Sequence, residues 1–179
     1  MPSIQAIADS LSSTFTDERY PLGTMYVQTD AEVKTGVSGV SDTTDFALLQ
    51  GERVWIFVKA ASAISAGDLC KRNAAGTPFE AAPDANNATV KHKLLGVADN
   101  AIASGSYGWL IKHGSCVYKS DTGGGGKSIN AGALLDSDGG TGAGEVATAA
   151  GTDASVIGLT YEAADATLAD FVQGFVDIP

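Results

Sequence analysis

The sequence predicts an all-β protein: a compact β-barrel or sandwich built from two related β units, with an extended N-terminal arm. Two observations carry this. The large apolar residues fall in short runs bounded by Gly, Asp, Asn and Ser, the punctuation of strands joined by tight turns. A stretch in the middle of the chain also resembles a later stretch at a fixed offset, which marks a repeated supersecondary unit. At 179 residues the chain can hold one domain with a sizeable core.

The first fifty residues differ from the rest. Ile4, Ile7, Ala8 and Leu11 follow helical spacing and Phe15 continues the stripe, so "SIQAIADSLSSTF" predicts a short amphipathic helix. A helix of that length is marginal alone in water and needs a surface to lie on. "DERYPLGTMYVQTDAE" reads as extended, because Pro21 restricts Tyr20 and Gly23 offers a bend. "KTGVSGVSDTTD" is turn-rich and reads as a loop.

Strand signals become regular from Glu52. "RVWIFVKA" is a continuous apolar run with β-branched and aromatic residues, the pattern of a strand buried on both faces. "DLCKR", "PFEAA", "KLLGVAD", "YGWLIKHG", "CVYKS", "ALLDS", "EVATA", "SVIGLTY" and "ADFVQGFVDI" follow as further short strands. The predicted division is an arm and loop region over 1–50, a first β unit over 51–122, a Gly-rich joint at 123–127 and a second β unit over 128–179. Residues 50–179 are expected to form one compact domain.

The repeat supports that division. At a shift of 65, "ISAGDLCKRNAAGTPFEAA" lies over "INAGALLDSDGGTGAGEVA", matching Ile64 with Ile129, Gly67 with Gly132, Leu69 with Leu134 and Ala82 with Ala147. Three extra residues in the first copy lower the shift to 62, so Leu95-Gly96-Val97 meets Ile157-Gly158-Leu159 and Trp109-Leu110 meets Phe171-Val172.

The chemistry-bearing residues do not assemble into a known site. "SDTGGGGKSINAG" looks like a phosphate-binding loop, but Asp121 stands where the first glycine is required and would oppose phosphate. The segment after it matches strand positions of the other copy, whereas a phosphate loop leads into a helix. "DSDGGTGAGE" gathers Asp136, Asp138 and Glu145, yet its spacing fits no familiar calcium loop and reads as a polar hairpin turn. His92 and His113 have no metal-ligand or nucleophile partners at the usual spacings. Cys70 and Cys116 read as two small buried thiols, with a bridge between neighbouring strands left open. Trp55, Trp109, Tyr118 and Phe171 fall in strand patterns and imply packing. No catalytic residue, metal or cofactor is expected.

A formal charge of −10 opposes nucleic-acid binding, which needs clustered Lys or Arg to neutralise phosphate. No segment has transmembrane length and the N-terminus lacks a secretion pattern, so neither membrane insertion nor standard secretion is expected.

"GERVWIFVKAASAISAGDLCKRNAAGTPFEAA", "LLGVADNAIASGSYGWLIKHG" and the upstream "YPLGT" resemble the head decoration, or capsid cement, proteins of tailed bacteriophages. The resemblance covers roughly Tyr20 to Gly114, with the second copy looser. It implies a non-enzymatic β body, made in the host cytoplasm, that decorates and stabilises the outer surface of a phage capsid by bridging major capsid subunits. The implied partners are the major capsid protein and further copies of itself, as a homotrimer or dimer. The N-terminal arm would lie across the capsid, with Ile4, Ile7, Leu11, Phe15 and Tyr20 as its contacts; the other reading of that stripe is packing on the protein's own barrel. A tail-fibre or receptor-binding module is the alternative role.

Overall fold

The structure is a computed structural model, and it describes residues 10–29, 51–73, 77–84, 93–119, 134–136, 147–148, 156–160 and 171–179. Among these, ten strands follow in chain order: β1 (Met25–Gln28), β2 (Arg53–Ala60), β3 (Leu69–Arg72), β4 (Glu80–Pro83), β5 (Leu94–Ala98), β6 (Tyr107–Lys119), β7 (Leu134–Asp136), β8 (Ala147–Thr148), β9 (Val156–Thr160) and β10 (Phe171–Asp177). They form one sheet in the order β1-β2-β4-β3-β5-β6-β10-β9-β7-β8, and β2 also pairs with β6. That extra pairing closes β2, β4, β3, β5 and β6 into a small barrel. The predicted all-β architecture is the one observed.

Each barrel strand sends alternate side chains to opposite sides. Ile56, Val58, Ala60, Cys70, Ala81, Leu95, Ala98 and Leu110, one or more from every barrel strand, fill the interior together with Ile64 and Ile102. Trp55, Phe57, Leu69, Leu94, Val97, Trp109 and Ile111 form a second cluster on the outside, joined by Cys116 and Tyr118 from the second half of β6, by Ile157 and Val176 of β9 and β10, and by Ile178 just beyond β10. This explains why "RVWIFVKA" carries no polar alternation: both faces of β2 are buried.

The later strands repeat the pairing of the earlier ones. Leu69, Cys70 and Lys71 of β3 face Val97, Gly96 and Leu94 of β5, with a register shift after Cys70. Leu134, Leu135 and Asp136 of β7 face Leu159, Gly158 and Val156 of β9, with a register shift after Leu135. Every partner is the one expected from the repeat, and the irregularity recurs at the same place. The β3–β4 pairs Cys70 with Pro83 and Lys71 with Ala82 likewise return as Leu135 with Thr148 and Asp136 with Ala147.

The closing strand needs one correction. Val97 and Ala98 face Ile111 and Leu110, while Leu159 and Thr160 face Phe175 and Gly174. Trp109-Leu110 therefore corresponds to Gln173-Gly174, two residues beyond the predicted Phe171-Val172. The aliphatic-Gly-aliphatic motif gains a reason from the same alignment. A Cβ on Gly96 would lie 2.7 Å from the Ile111 carbonyl oxygen, and one on Gly158 would collide with the equivalent carbonyl of Phe175. Both strands press against the closing strand too closely for a side chain.

The predicted strands "YGWLIKHG" and "CVYKS" are one 13-residue strand, β6. Gly114 looked like a break, but its positive φ of 109° is accommodated within the strand, beside a register shift in the pairing with β2. β6 pairs with β2 and β5 through its first half and with β10 through its second. It closes the first unit and opens the second: Trp55, Ile56 and Phe57 face Ile111, Leu110 and Trp109, just as Ser115, Cys116 and Val117 face Phe175, Gly174 and Gln173. The Gly-rich joint at 123–127 lies outside the described residues.

Candidate functional site

The predicted N-terminal helix is absent from its described part. Ser10 to Ser13 make a turn, with the Ser13 N–H donating to the Ser10 carbonyl at 2.9 Å. Phe15 then forms an isolated β-bridge with Tyr107, each N–H donating to the other's carbonyl at 2.9 and 2.8 Å. The two-way backbone bridge to the barrel takes Phe15 out of the predicted helix. Ile4 and Ile7 lie outside the described residues.

Of the proposed arm contacts, Leu11, Phe15 and Tyr20 are half-buried against the outer face of the barrel. The Tyr20 ring meets Phe57 edge-on at 5.3 Å and lies 5.4 Å from Trp109, while Phe15 lies 6.2 Å from Phe57. Phe57 also stacks on Tyr107 at 6.1 Å. These aromatic contacts are the packing alternative of the sequence reading.

"YPLGT" is the clamp that follows. Gly23 N–H donates to the Phe57 carbonyl and Phe57 N–H to the Thr24 carbonyl, both at 2.9 Å. Gly23 has φ of +82°, and a Cβ there would strike the Phe79 ring at 2.5 Å. The left-handed backbone at this bend favours glycine, and any side chain there would have to displace the Phe79 ring. β1 then runs antiparallel to β2, and the Trp55 indole N–H donates to Gln28 Oε1 at 3.0 Å.

The "A-G-D" segment, 66–68, is tied to the far end of β6. Buried Asp68 accepts the Ser65 N–H at 2.6 Å on one carboxylate oxygen and the Lys119 ammonium at 2.6 Å on the other. The Lys119 N–H donates to the Gly67 carbonyl at 2.9 Å, and the Gly67 N–H to the Ala98 carbonyl at 2.7 Å. Nearby, buried Asp84 pairs with Lys71 at 2.8 Å. Both carboxylates are committed to internal pairs, the condition for burying such charges.

Cys70 and Cys116 are free and buried. Burial pushes the Cys70 thiol well up, with Asp68 and Asp84 adding to the shift and Lys119 opposing it. Burial likewise pushes the Cys116 thiol up to about 12, against the pull of Arg53. Arg53 is itself lowered by burial, with Asp99 acting the other way. Such thiols are poor nucleophiles. His113 stands near the surface, its Nδ1 3.1 Å from an Asp177 carboxylate oxygen and its ring edge-on to Phe175 at 4.9 Å. Among the described residues no group of three or more His, Cys, Asp or Glu is placed to hold a metal ion, and no helix is long and apolar enough to cross a membrane. His92, the GGGGKS segment, Asp138 and Glu145 lie outside the described residues.

One surface feature was not singled out from sequence. Ser115, Phe175, Leu159 and Leu134 stand directly opposite one another across β6, β10, β9 and β7. Leu134 is 51% exposed and Leu159 37%, and Phe175 is half-buried. The repeat matched Leu134 with buried Leu69, but the pattern of apolar residues cannot tell a covered row from an open one.

No family model matches the chain, and no curated protein matches it. Among solved structures, it is similar to the N base of head fiber gp8.5 in bacteriophage phi29, with 16% identity and a TM-score of 0.48 over 70% of this chain and 94% of that one.

Proposed function

We propose that this chain is a structural virion protein that decorates and stabilises the outer surface of a phage capsid by bridging major capsid subunits, without catalysis. One observation supports the reading above others: the residues that carry the sequence resemblance to capsid cement proteins are those that build this fold. "YPLGT" is the clamp on Phe57, "A-G-D" is the stitch to Lys119, and "L-G-V-A" is the strand that only a glycine lets approach β6.

Within this proposal the arm shortens. Leu11, Phe15 and Tyr20 are held by the barrel, so the capsid contact falls to the residues before Ser10, with Ile4 and Ile7 as its apolar anchors. Weak contacts of this kind add when repeated over many symmetric sites. The test is co-sedimentation with undecorated heads, comparing the full chain with a variant lacking residues 1–9. The full chain is expected to bind and the truncated chain to bind much less, with an unchanged melting temperature. Undiminished binding by the truncated chain would overturn the arm; labelling confined to tails in imaged virions would overturn the capsid role in favour of a tail-fibre module.

A further inference from the structure

Three lysine–carboxylate pairs occur among the described residues. Lys59 stands 3.8 Å from Glu80 and Lys71 2.8 Å from Asp84, whereas Lys119 comes within 2.6 Å of Asp68. The last pair is also fixed by backbone on both sides. The Asp68 N–H donates to the Ser65 carbonyl at 3.2 Å, and the Asp68 carbonyl accepts the Ala98 N–H at 3.0 Å. The Lys119 N–H donates to the carbonyl of Gly67, the residue before Asp68. On the carboxylate itself, Oδ1 faces the Lys119 ammonium and Oδ2 accepts the Ser65 N–H at 2.6 Å. The Asp68 side chain is 4% exposed and that of Lys119 31%.

We infer that Asp68 and Lys119 are an intramolecular cross-linking site, at which the ion pair condenses to an amide as the folded chain ages. Oδ1 is bonded to Cγ, so Nζ already lies beside the carbon that it attacks. Holding two reactants in that geometry supplies the order that a chance encounter in solution lacks. The Ser65 N–H is aimed at Oδ2, where negative charge grows as the nitrogen adds to Cγ, and fixed donors of this kind stabilise such an oxyanion. Burial helps as well. A proton passing from Nζ to Oδ1 leaves a neutral amine and a neutral acid, the forms that a water-poor site penalises least. The Nζ–Cγ bond forms and the Cγ–Oδ1 bond breaks. Of the three ammonium protons, two leave with Oδ1 as water and one stays on the amide nitrogen, so no oxidant, reductant or cofactor is required. The product ties together residues 51 apart, joining the end of β6 to the segment before β3. Such a bond restricts the unfolded chain as a disulfide does.

The inference does not rest on the virion reading, because purified protein alone tests it. Intact mass spectrometry of the full chain, kept folded through a prolonged warm incubation, should show a species lighter by one water. Digestion should then give a branched peptide joining the Asp68 and Lys119 segments. Chain held in guanidinium chloride for the same time should keep its full mass, because the geometry is gone. Lys119→Arg preserves the charge, but its guanidinium stays protonated and does not condense, so both signals should vanish. Lys71→Arg, which removes the amine beside Asp84, should leave them unchanged. The branched peptide of the wild type decides the matter if either variant fails to fold. A full mass after every incubation would overturn the proposal. So would a lost water that persists in Lys119→Arg or maps to a linear peptide, since that places the dehydration elsewhere, such as a cyclic imide at Asp138-Gly139.

Discussion

The first and second β units share one pairing scheme but not one level of burial. Leu69 and Leu134 sit at the same register position, each opposite the second aliphatic residue of an aliphatic-Gly-aliphatic strand. Leu69 has no exposed surface, whereas Leu134 keeps half of its own. Backbone pairing was therefore copied without the neighbours that give a side chain its energetic weight. The first unit is enclosed by the N-terminal clamp on one side and by β9 and β10 on another; the described part of the second has no comparable cover over its leucines.

The largest expected contrast tests that difference directly. Leu69→Ala removes a fully buried side chain and should cost about 3–4 kcal/mol in chemical denaturation. Leu134→Ala, at the matching position, should cost less than about 1 kcal/mol in the monomer. Equal losses would mean that the open row is covered after all, and the comparison of the units would fail.

A second contrast concerns lysines. Lys59 and Lys119 correspond through the β2–β6 and β6–β10 pairings. Lys59 reaches Glu80 at 3.8 Å, with both groups partly exposed, while Lys119 holds Asp68, whose side chain is 4% exposed, at 2.6 Å. Lys119→Ala strands a buried carboxylate and should cost roughly 2–3 kcal/mol, discounted from a fully buried pair because Lys119 itself is partly solvated. Lys59→Ala should cost less than about 1 kcal/mol. Thermal melts of the two variants would show which lysine supports a buried partner; a larger loss at Lys59 would contradict the pairing of Lys119 with Asp68.

Much of this architecture was legible because strands and turns are local. Runs such as "RVWIFVKA" and "SVIGLTY" announce themselves by composition, and the residue matches of the repeat relate the β3–β5 register to that of β7–β9. The errors arose where a distant partner decides. Leu11 and Phe15 have helical spacing, but the Tyr107 backbone recruits Phe15 into a bridge. Gly114 looks like a terminator, yet β2 and β10 hold β6 continuous through it. The two-residue slip of the closing strand came from matching Trp109 to the nearest aromatic, when Gly96 and Gly158 set the register by contact with the carbonyls of Ile111 and Phe175. The open leucine row was hidden for a related reason. Exposure depends on what folds back over a sheet, and no local pattern records it.

The smallest effect separates the two clusters through their thiols. Cys70 lies inside the barrel, and Cys116 lies in the outer cluster at the position that Ile56 holds in the first unit. Burial raises both thiols, so each favours folding below its unfolded value of about 9 and loses that contribution as pH rises. For Cys116 the loss runs from pH 9 toward about 12. By pH 10 it should amount to about 1.4 kcal/mol, the equivalent of one pH unit of linkage. Lysines and tyrosines titrate in the same range, so the readout is the difference between the wild type and Cys116→Val, which removes the thiol but keeps the packing. The variant's denaturation midpoint should fall less between pH 8 and pH 10 than the wild type's. Parallel curves would mean that Cys116 ionises as freely in the folded chain as in the unfolded one, and that the outer cluster admits water where it is drawn dry.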